Sequence, residues 1–147
     1  MEVFLYNGDK TYSYDQLMDE IHQRNEYYPC YQSNNLFNFF VNLTKAIIFN
    51  RPLVLLDTDL SATEISSLAE NKLNEPVALP HIQFNTFDEV IAALQSSTSE
   101  ITIFTSGTTG QPKKVIHSIS TLTRSVRCGE KYREQVWAYA YNPTHMA

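Results

Sequence analysis

The spacing of hydrophobic and polar positions along the first part of the chain predicts two helices followed by a strand. Residues 13–16 have the form of a capping box, and apolar residues at helical spacing continue to about Glu26. The same period runs over residues 34–50 and predicts a second, strongly buried helix. Pro52, just after this range, stops the helix. The uninterrupted apolar run over residues 53–56 is typical of a strand covered on both faces in a parallel sheet.

Two further capping boxes predict helices in the middle of the chain. Ser61-Ala62-Thr63-Glu64 precedes an apolar stripe that continues to Leu73, and Thr86-Phe87-Asp88-Glu89 precedes one that continues to Leu94. The polar stretch 96–99 then indicates a loop or a short tether.

The last third of the chain predicts two strands around a loop, followed by a helix and a strand. Residues 100–104 and 114–117 carry strand patterns, and the segment between them consists mainly of small polar residues. A fifth helix is expected over residues 119–134 and a further strand over residues 136–141. This order of elements favours an α/β fold with a layered mixed sheet and flanking helices.

Composition and charge narrow the class of protein. The 147 residues are 43% hydrophobic and 18% charged, as expected of one globular domain and not of a disordered, collagen-like or disulfide-rich chain. Eleven basic and sixteen acidic side chains give a net charge of -5, so no general attraction to nucleic acid or anionic lipid is expected. A phosphate site in this protein must therefore be local.

The cysteines and the amino-terminal sequence favour a cytoplasmic protein without a membrane partner. Cys30 and Cys128 lie outside any C-x-x-C pattern, so buried reduced thiols are expected in place of a zinc or redox site. The first ten residues lack a basic segment followed by an apolar core. The longest apolar runs are also far too short to span a bilayer.

The segment Thr105-Ser106-Gly107-Thr108-Thr109-Gly110-Gln111-Pro112-Lys113 combines the groups that hold a polyphosphate. Glycine allows the backbone N–H groups to approach an anion, hydroxyls donate further hydrogen bonds, and lysine supplies a compact cation. Two of the four glycines of the chain are in this segment. A solvated hairpin turn would not require the Pro112-Lys113 pair after the second glycine.

The segment differs from a nucleoside-triphosphate P-loop, because G-x-x-G-x-P-K replaces G-x-x-x-x-G-K-[ST] and a strand pattern follows it in place of a helix. It resembles the signature of the adenylate-forming superfamily of acyl-CoA synthetases, aryl-CoA ligases, luciferases and peptide-synthetase adenylation domains. That signature reads [ST]-[ST]-G-[ST]-[TS]-G-x-P-K-G-V and is often preceded by an aromatic residue, here Phe104. Residues 104–115 match it at every specified position except Lys114, which stands where the family usually has glycine.

Weaker resemblances to the same family occur outside the loop. Residues 11–17 are similar to an early T-Y-x-E-L helix start, and residues 45–57 to the buried helix and strand that end near P-L-D-P, with Thr58 in place of the last proline. Pro143-Thr144-His145 resembles the start of the motif P-x-[FHY]-H-x-x-G, whose aromatic residue or histidine lies beside the acid substrate. A loop-end histidine is an equal interpretation of His145.

The resemblance implies both a fold and a reaction. Residues 1–147 would form the first part of the large amino-terminal domain of an AMP-forming acid–thiol ligase, with ATP and Mg²⁺ as cofactors. A small carboxylic acid would become an acyl-adenylate with release of pyrophosphate, and the thiol of coenzyme A or of a carrier protein would take the acyl group. Thr105, Ser106, Gly107, Thr108, Thr109, Gly110 and Lys113 would hold the phosphates, with Lys113 as the catalytic cation and His145 at the acid.

The family's adenine motif, ribose-binding aspartate and lysine-bearing lid domain do not occur in this sequence, so the chain is expected to be truncated and inactive alone. A stand-alone nucleotide- or polyphosphate-binding module and a phosphotransferase remain alternatives. The other three histidines are expected to be structural or solvent-facing, and the four phenylalanines in and next to the second helix are expected to lie in the core. These residues are His22, His81, His117, Phe37, Phe39, Phe40 and Phe49.

Overall fold

The computed structural model describes residues 2–68, 72–105, 112–127, 129–132, 135–138 and 144. Its elements form a mixed α/β arrangement of five helices and eight strands within these residues. In chain order they are β1 (Val3–Asn7), β2 (Lys10–Ser13), α1 (Tyr14–Gln23), β3 (Glu26–Tyr27), β4 (Cys30–Tyr31), α2 (Leu36–Ile48), β5 (Leu53–Leu55), α3 (Ala62–Leu68), β6 (Val77–Ala78), α4 (Phe87–Gln95), β7 (Glu100–Thr105), β8 (Lys113–Ser118) and α5 (Ile119–Thr123).

A four-stranded sheet with the order β4-β5-β7-β8 forms the centre of the fold. The first three strands are parallel and β8 is antiparallel to β7. Leu53 is fully buried and pairs with Ile101, which is 2% exposed, so the predicted buried parallel strand is confirmed. Two small antiparallel pairs, β1-β2 and β3-β6, complete the strand pairing.

Helix α2 supplies most of the apolar surface that covers one face of this sheet. Phe39 and Ala46 pack in the same cluster as Leu53, Leu55 and Ile103. The strong apolar period of this segment therefore becomes a buried helix, as the sequence predicts. The phenylalanines of this segment are core residues and form no aromatic ligand site; they are Phe37, Phe39, Phe40 and Phe49.

A second apolar cluster joins α1, α2 and α4 beside the β1-β2 hairpin. Leu17 and Ile21 from α1 meet Phe37 from α2 and Val90 from α4, and all are buried. The turn of the hairpin uses Gly8 at φ 60°, a conformation that glycine adopts without steric cost.

Side-chain caps start the helices where the sequence predicts them. Ser13 Oγ accepts from Gln16 N at 3.1 Å and Gln16 Oε1 accepts from Ser13 N at 2.8 Å, a complete capping box. Ser61 and Glu64 make the same reciprocal bonds before α3. At α4 the Thr86 hydroxyl accepts from Glu89 N, but the Glu89 carboxylate accepts from Asn85 N, one residue before the cap.

The polar stretch 96–99 forms a loop, as the first of the two interpretations predicts, and it anchors the end of α2 to the start of β7. Ser97 Oγ donates to Ile47 O at 2.6 Å, and Ser99 Oγ donates to Ala46 O at 3.0 Å. Asn50 Oδ1 accepts from Thr98 N at 2.8 Å. The hydroxyl groups of Ser97 and Ser99, which are typical of a loop in the sequence, therefore donate hydrogen bonds to carbonyl oxygens of α2.

Three predicted elements are shorter than expected or absent. The third helix ends at Leu68 among described residues, and Leu73 lies in a turn before Asn74, whose φ is 52°. Among the described residues of the expected 119–134, the fifth helix covers Ile119–Thr123, and a short 3-10 turn follows at Glu130–Tyr132. Side-chain hydroxyls compete for helix carbonyls in α5, where Thr121 Oγ1 donates to Ser118 O and Thr123 Oγ1 to Ile119 O.

The expected strand over residues 136–141 is not found in its described part, 135–138. Val136 and Trp137 are 79% and 72% exposed, so they lack the neighbouring strand and the buried face that an apolar strand needs. Residues 139–141 of this prediction lie outside the described residues.

Cys30 is a fully buried free thiol, and burial raises its pKa, as expected of a structural cysteine. Cys128 lies outside the described residues. His22 is structural, because its Nε2 accepts from Phe84 N at 3.1 Å. No helix in the described part of the chain is long and apolar enough to cross a membrane.

Candidate site at the carboxyl edge of the central sheet

Strands β7 and β8 hold the two ends of the predicted phosphate segment opposite each other. Six consecutive residue pairs join the strands, from Glu100–Ser118 to Thr105–Lys113. Thr105 and Lys113 are therefore the last pair of the ladder before the intervening segment 106–112. Directly opposed residues of an antiparallel pair project to the same face, so these two side chains share one side of the loop mouth.

The face that carries Thr105 and Lys113 is the one that packs against α2. Ile103 and Val115, the nearest pair of the ladder on the same face, belong to the core cluster under this helix. Thr105 is half-buried and Lys113 is exposed. Packing of the ladder thus fixes the backbone on both sides of the loop, while the lysine ammonium stays accessible to a charged ligand.

Lys114 lies one position further along β8 and pairs with Phe104 on the opposite face of the sheet. The family signature has glycine at this position, yet the non-glycine residues with positive φ in the described ranges are Asn50 and Asn74. Lys114 therefore adopts ordinary strand backbone, which any residue can take.

The carboxyl ends of the three parallel strands meet at one edge, the position where open α/β sheets bind ligands. Asp57 and Thr105 each lie three residues after the last residue pair between β5 and β7, Val54–Thr102. Gln32, which follows β4, donates from Nε2 to Asp57 O at 2.6 Å. Hydrogen bonds therefore connect the ends of β4 and β5 at the edge where β7 leads into the predicted phosphate loop.

Thr144 is also at this edge, because its Oγ1 donates to Asp57 Oδ2 at 3.1 Å and it is only 7% exposed. Asp57 Oδ1 accepts from Asp59 N at 2.9 Å, so both carboxylate oxygens have partners. Thr144 belongs to the short motif 143–145 singled out in the sequence. The contact spans 87 positions along the chain, and no local pattern predicts it.

The structure describes two of the predicted site residues, Thr105 and Lys113, and brings them together. The predicted phosphate donors Ser106, Gly107, Thr108, Thr109 and Gly110 lie outside the described residues, as does His145. Among the described residues no group of three or more His, Cys, Asp or Glu side chains is arranged to hold a metal ion.

Two comparisons with known proteins were without a match. No family model matches the chain, and no curated protein matches it. The functional interpretation therefore rests on the signature residues and on the geometry of the edge where they begin and end.

Proposed function

We propose that segment 105–113 binds the triphosphate of ATP and that the protein activates a small carboxylic acid as its acyl-adenylate. The observation that carries the proposal is the cross-strand pair Thr105–Lys113, which closes the mouth of a loop whose sequence has the adenylate-forming signature. A strand–loop–strand arrangement at the carboxyl edge of a parallel sheet supports a ligand site there.

The chemistry of the segment fits the leaving group of this reaction. A carboxylate oxygen attacks the α-phosphorus of ATP, the bond from that phosphorus to the oxygen shared with the β-phosphate breaks, and pyrophosphate leaves with the electron pair. The Lys113 ammonium, the hydroxyls of Ser106, Thr108 and Thr109, and the N–H groups around Gly107 and Gly110 are donors suited to the charge that grows on pyrophosphate.

Mg²⁺ bound with the triphosphate would neutralise part of its charge. In the second step the sulfur of coenzyme A, or of a carrier-protein thiol, attacks the acyl carbonyl and AMP leaves. No triphosphate is bound in this second step, so the proposed role of Lys113 is confined to the first step.

The hydrogen bond between Thr144 and Asp57 supports a place for the acid at the same edge. His145 follows Thr144 directly, and the resemblance assigns the histidine of this motif to the acid substrate. The phosphate segment and the motif 143–145 would then contribute the two reactants of the first step from adjacent positions. On this proposal residues 1–147 are the amino-terminal part of the ligase.

Product analysis tests the proposed reaction. The complete protein would be incubated with Mg-ATP and a panel of small aliphatic, alicyclic and aromatic acids, and nucleotides and phosphates would be separated by chromatography. AMP and pyrophosphate should appear in equal amounts and only with an accepted acid. Formation of ADP and a phosphorylated product would instead identify a phosphotransferase, and tight triphosphate binding without turnover of any acid would identify a binding module.

A further inference from the structure

A cavity of about 320 Å³ lies on the other side of β4, between the end of α1 and one face of α2. Its volume is at the lower end of the range for small-molecule sites, roughly 300–1,000 Å³. Its walls combine an aromatic pair, an apolar side chain, amides and a lysine; these are Tyr28, Tyr31, Val41, Asn38, Asn42 and Lys45. In the sheet, β5 separates β4 from β7, so the cavity and the phosphate loop belong to strands about 10 Å apart.

Lys45 is a buried cation with no carboxylate within 4.0 Å among the described residues, although Glu20 and Glu26 attract it from a longer distance. The residue is 3% exposed, and its Nζ donates to Arg24 O at 2.7 Å. An ammonium has three N–H donors, and no other acceptor and no carboxylate within 4.0 Å is found for it across the described residues. Two donors of this buried charge therefore have no protein acceptor, and water or an anion in the cavity must accept from them.

The remaining walls limit the occupant to a small monoanion. Asn42 is held by the backbone of Tyr28, because its Oδ1 accepts from Tyr28 N at 2.8 Å and its Nδ2 donates to Tyr28 O at 3.0 Å. Arg24 Nε lies 3.6 Å from Glu20 Oε2, and Glu26 adds a second carboxylate to the lining. These two carboxylates disfavour a phosphate dianion. Among anions, a monocarboxylate adds the least negative charge to a lining that already contains Glu20 and Glu26.

The Tyr28 and Tyr31 rings provide an apolar surface beside this charge. Their centroids are 5.3 Å apart with an interplanar angle of 25°. A planar or short apolar group attached to a carboxylate could pack on this stack and on Val41 while its oxygens reach Lys45.

We propose that this cavity is a binding site for a small monocarboxylate, whose oxygens accept the two remaining N–H bonds of Lys45. The site is independent of the proposed ATP segment, because it uses a different strand edge and a different lysine. An additional role of Lys45 is to cap the end of α1 through Arg24 O, and that role alone would require no ligand.

The protonation of Lys45 distinguishes a bound carboxylate from a purely structural lysine. Burial lowers the pKa of Lys45 to about 8, with Arg24 lowering it further while Glu20 and Glu26 oppose the shift. A carboxylate at the ammonium favours the charged form and raises this pKa. By linkage, binding must take up protons near pH 8 and weaken as the pH rises above that value.

The other charged side chains in the lining of the cavity are Glu20, Glu26 and Arg24. Burial raises the pKa of Tyr28 above its usual value near 10, so its hydroxyl stays protonated in this range. Proton uptake between pH 7 and 9 on binding at this cavity therefore reports on Lys45.

Calorimetric titration of the 147-residue chain with benzoate tests the proposal. At pH 8, measured in two buffers of different ionisation enthalpy, binding should take up about half a proton, because about half of a group with a pKa near 8 is deprotonated there. Lys45→Met should weaken benzoate binding about tenfold or more, since a charge-assisted hydrogen bond is lost. Lys10→Met removes the same charge at an exposed position and should leave the affinity unchanged.

Benzamide, which has the same ring without the charge, should bind far more weakly than benzoate. Three results would overturn the proposal: no saturable benzoate binding up to about 10 mM, ten times a millimolar dissociation constant; binding without proton uptake; or equal affinities of the Lys45→Met and unaltered chains. Proton uptake is measured on the unaltered chain, so the test stands even where Lys45→Met fails to fold. Loss of triphosphate binding in Lys113→Ala would test the proposed ATP segment. It would not change the interpretation of benzoate binding at Lys45.

Discussion

Replacing Asn50 should reveal how strongly the end of α2 is fixed to the start of β7. Asn50 has φ 52° and follows the helix cap Phe49. Asn50 N donates to Ile47 O at 3.1 Å and Arg51 N donates to Ala46 O at 2.8 Å, the two bonds of a Schellman motif. Its side chain also accepts from Thr98 N, so one residue combines a left-handed turn with a long-range bond.

The two contributions can be separated by paired substitutions. Asn50→Ala removes the bond to Thr98 and places a Cβ-bearing residue that lacks a stabilising side chain in the left-handed region. Each effect costs about 1 kcal/mol, so we expect a loss of about 2 kcal/mol in the free energy of unfolding. Asn50→Gly loses the bond but fits the turn, and should cost about 1 kcal/mol.

Urea denaturation followed by far-ultraviolet circular dichroism measures both values. Trp137 is 72% exposed and is a poor reporter of the core, so fluorescence is less suitable. For a chain of this size a loss of 2 kcal/mol corresponds to a fall in Tm of roughly 4–8 °C. Asn34→Ala, at an exposed position before α2, is the control and should change stability by less than about 0.5 kcal/mol.

The reasoning is refuted if Asn50→Gly proves as destabilising as Asn50→Ala, because the left-handed conformation would then contribute nothing. Losses below about 0.5 kcal/mol for both variants would show that the polar anchor has no energetic role.

Three further predictions follow from the site and the buried lysine. In the complete protein His145→Ala should impair use of the acid more than use of ATP; unchanged KM and kcat for the acid would make His145 a loop residue only. The 147-residue chain alone should release pyrophosphate only at background in a carboxylate-dependent assay, since its sequence lacks the family's adenine and ribose motifs; sustained turnover would contradict the proposed fragment. The folded-state pKa of Lys45 is about 8 against 10.5 for the free group, so the unfolded chain binds more protons between these values and the penalty of burying the charge is relieved as pH rises. The difference in unfolding free energy between the unaltered chain and Lys45→Met should therefore shift by about 2 kcal/mol in favour of the unaltered chain between pH 8 and 10, and a constant difference would contradict this account.

The parts of the fold that sequence predicts well are those specified by neighbouring residues. The capping box of Ser13 and Gln16 depends on residues three positions apart, and it forms as predicted. The period of α2 and the apolar run of β5 likewise carry their own signals of burial. Ile119 to Thr123 shows the limit, because the helix there has five residues although the sequence predicts a long one, and side-chain hydroxyls bind two of its carbonyls.

Features that depend on distant residues could not be predicted. Ser97 and Ser99 bind carbonyls about 50 positions earlier in the chain, and nothing in a polar stretch indicates such a partner. The bond between Thr144 and Asp57 is of the same kind. For Lys45 the sequence does contain a signal, because it is a lone cation in a strongly apolar helix with Asn38 and Asn42 at helical spacing. Its burial nevertheless depends on where α1 ends, which the local sequence of α2 does not specify.

The assignment of the phosphate cation to Lys113 is tested most directly by measuring the two half-reactions separately in the complete protein. Lys113→Ala should slow adenylation about a hundredfold, the equivalent of about 3 kcal/mol of transition-state stabilisation, while thiol transfer from preformed acyl-adenylate should be nearly unchanged. Lys114→Ala, on the opposite face of β8, is the matched control and should leave both steps close to normal. Equal damage from the two substitutions, or equal slowing of both half-reactions by Lys113→Ala, would contradict the account.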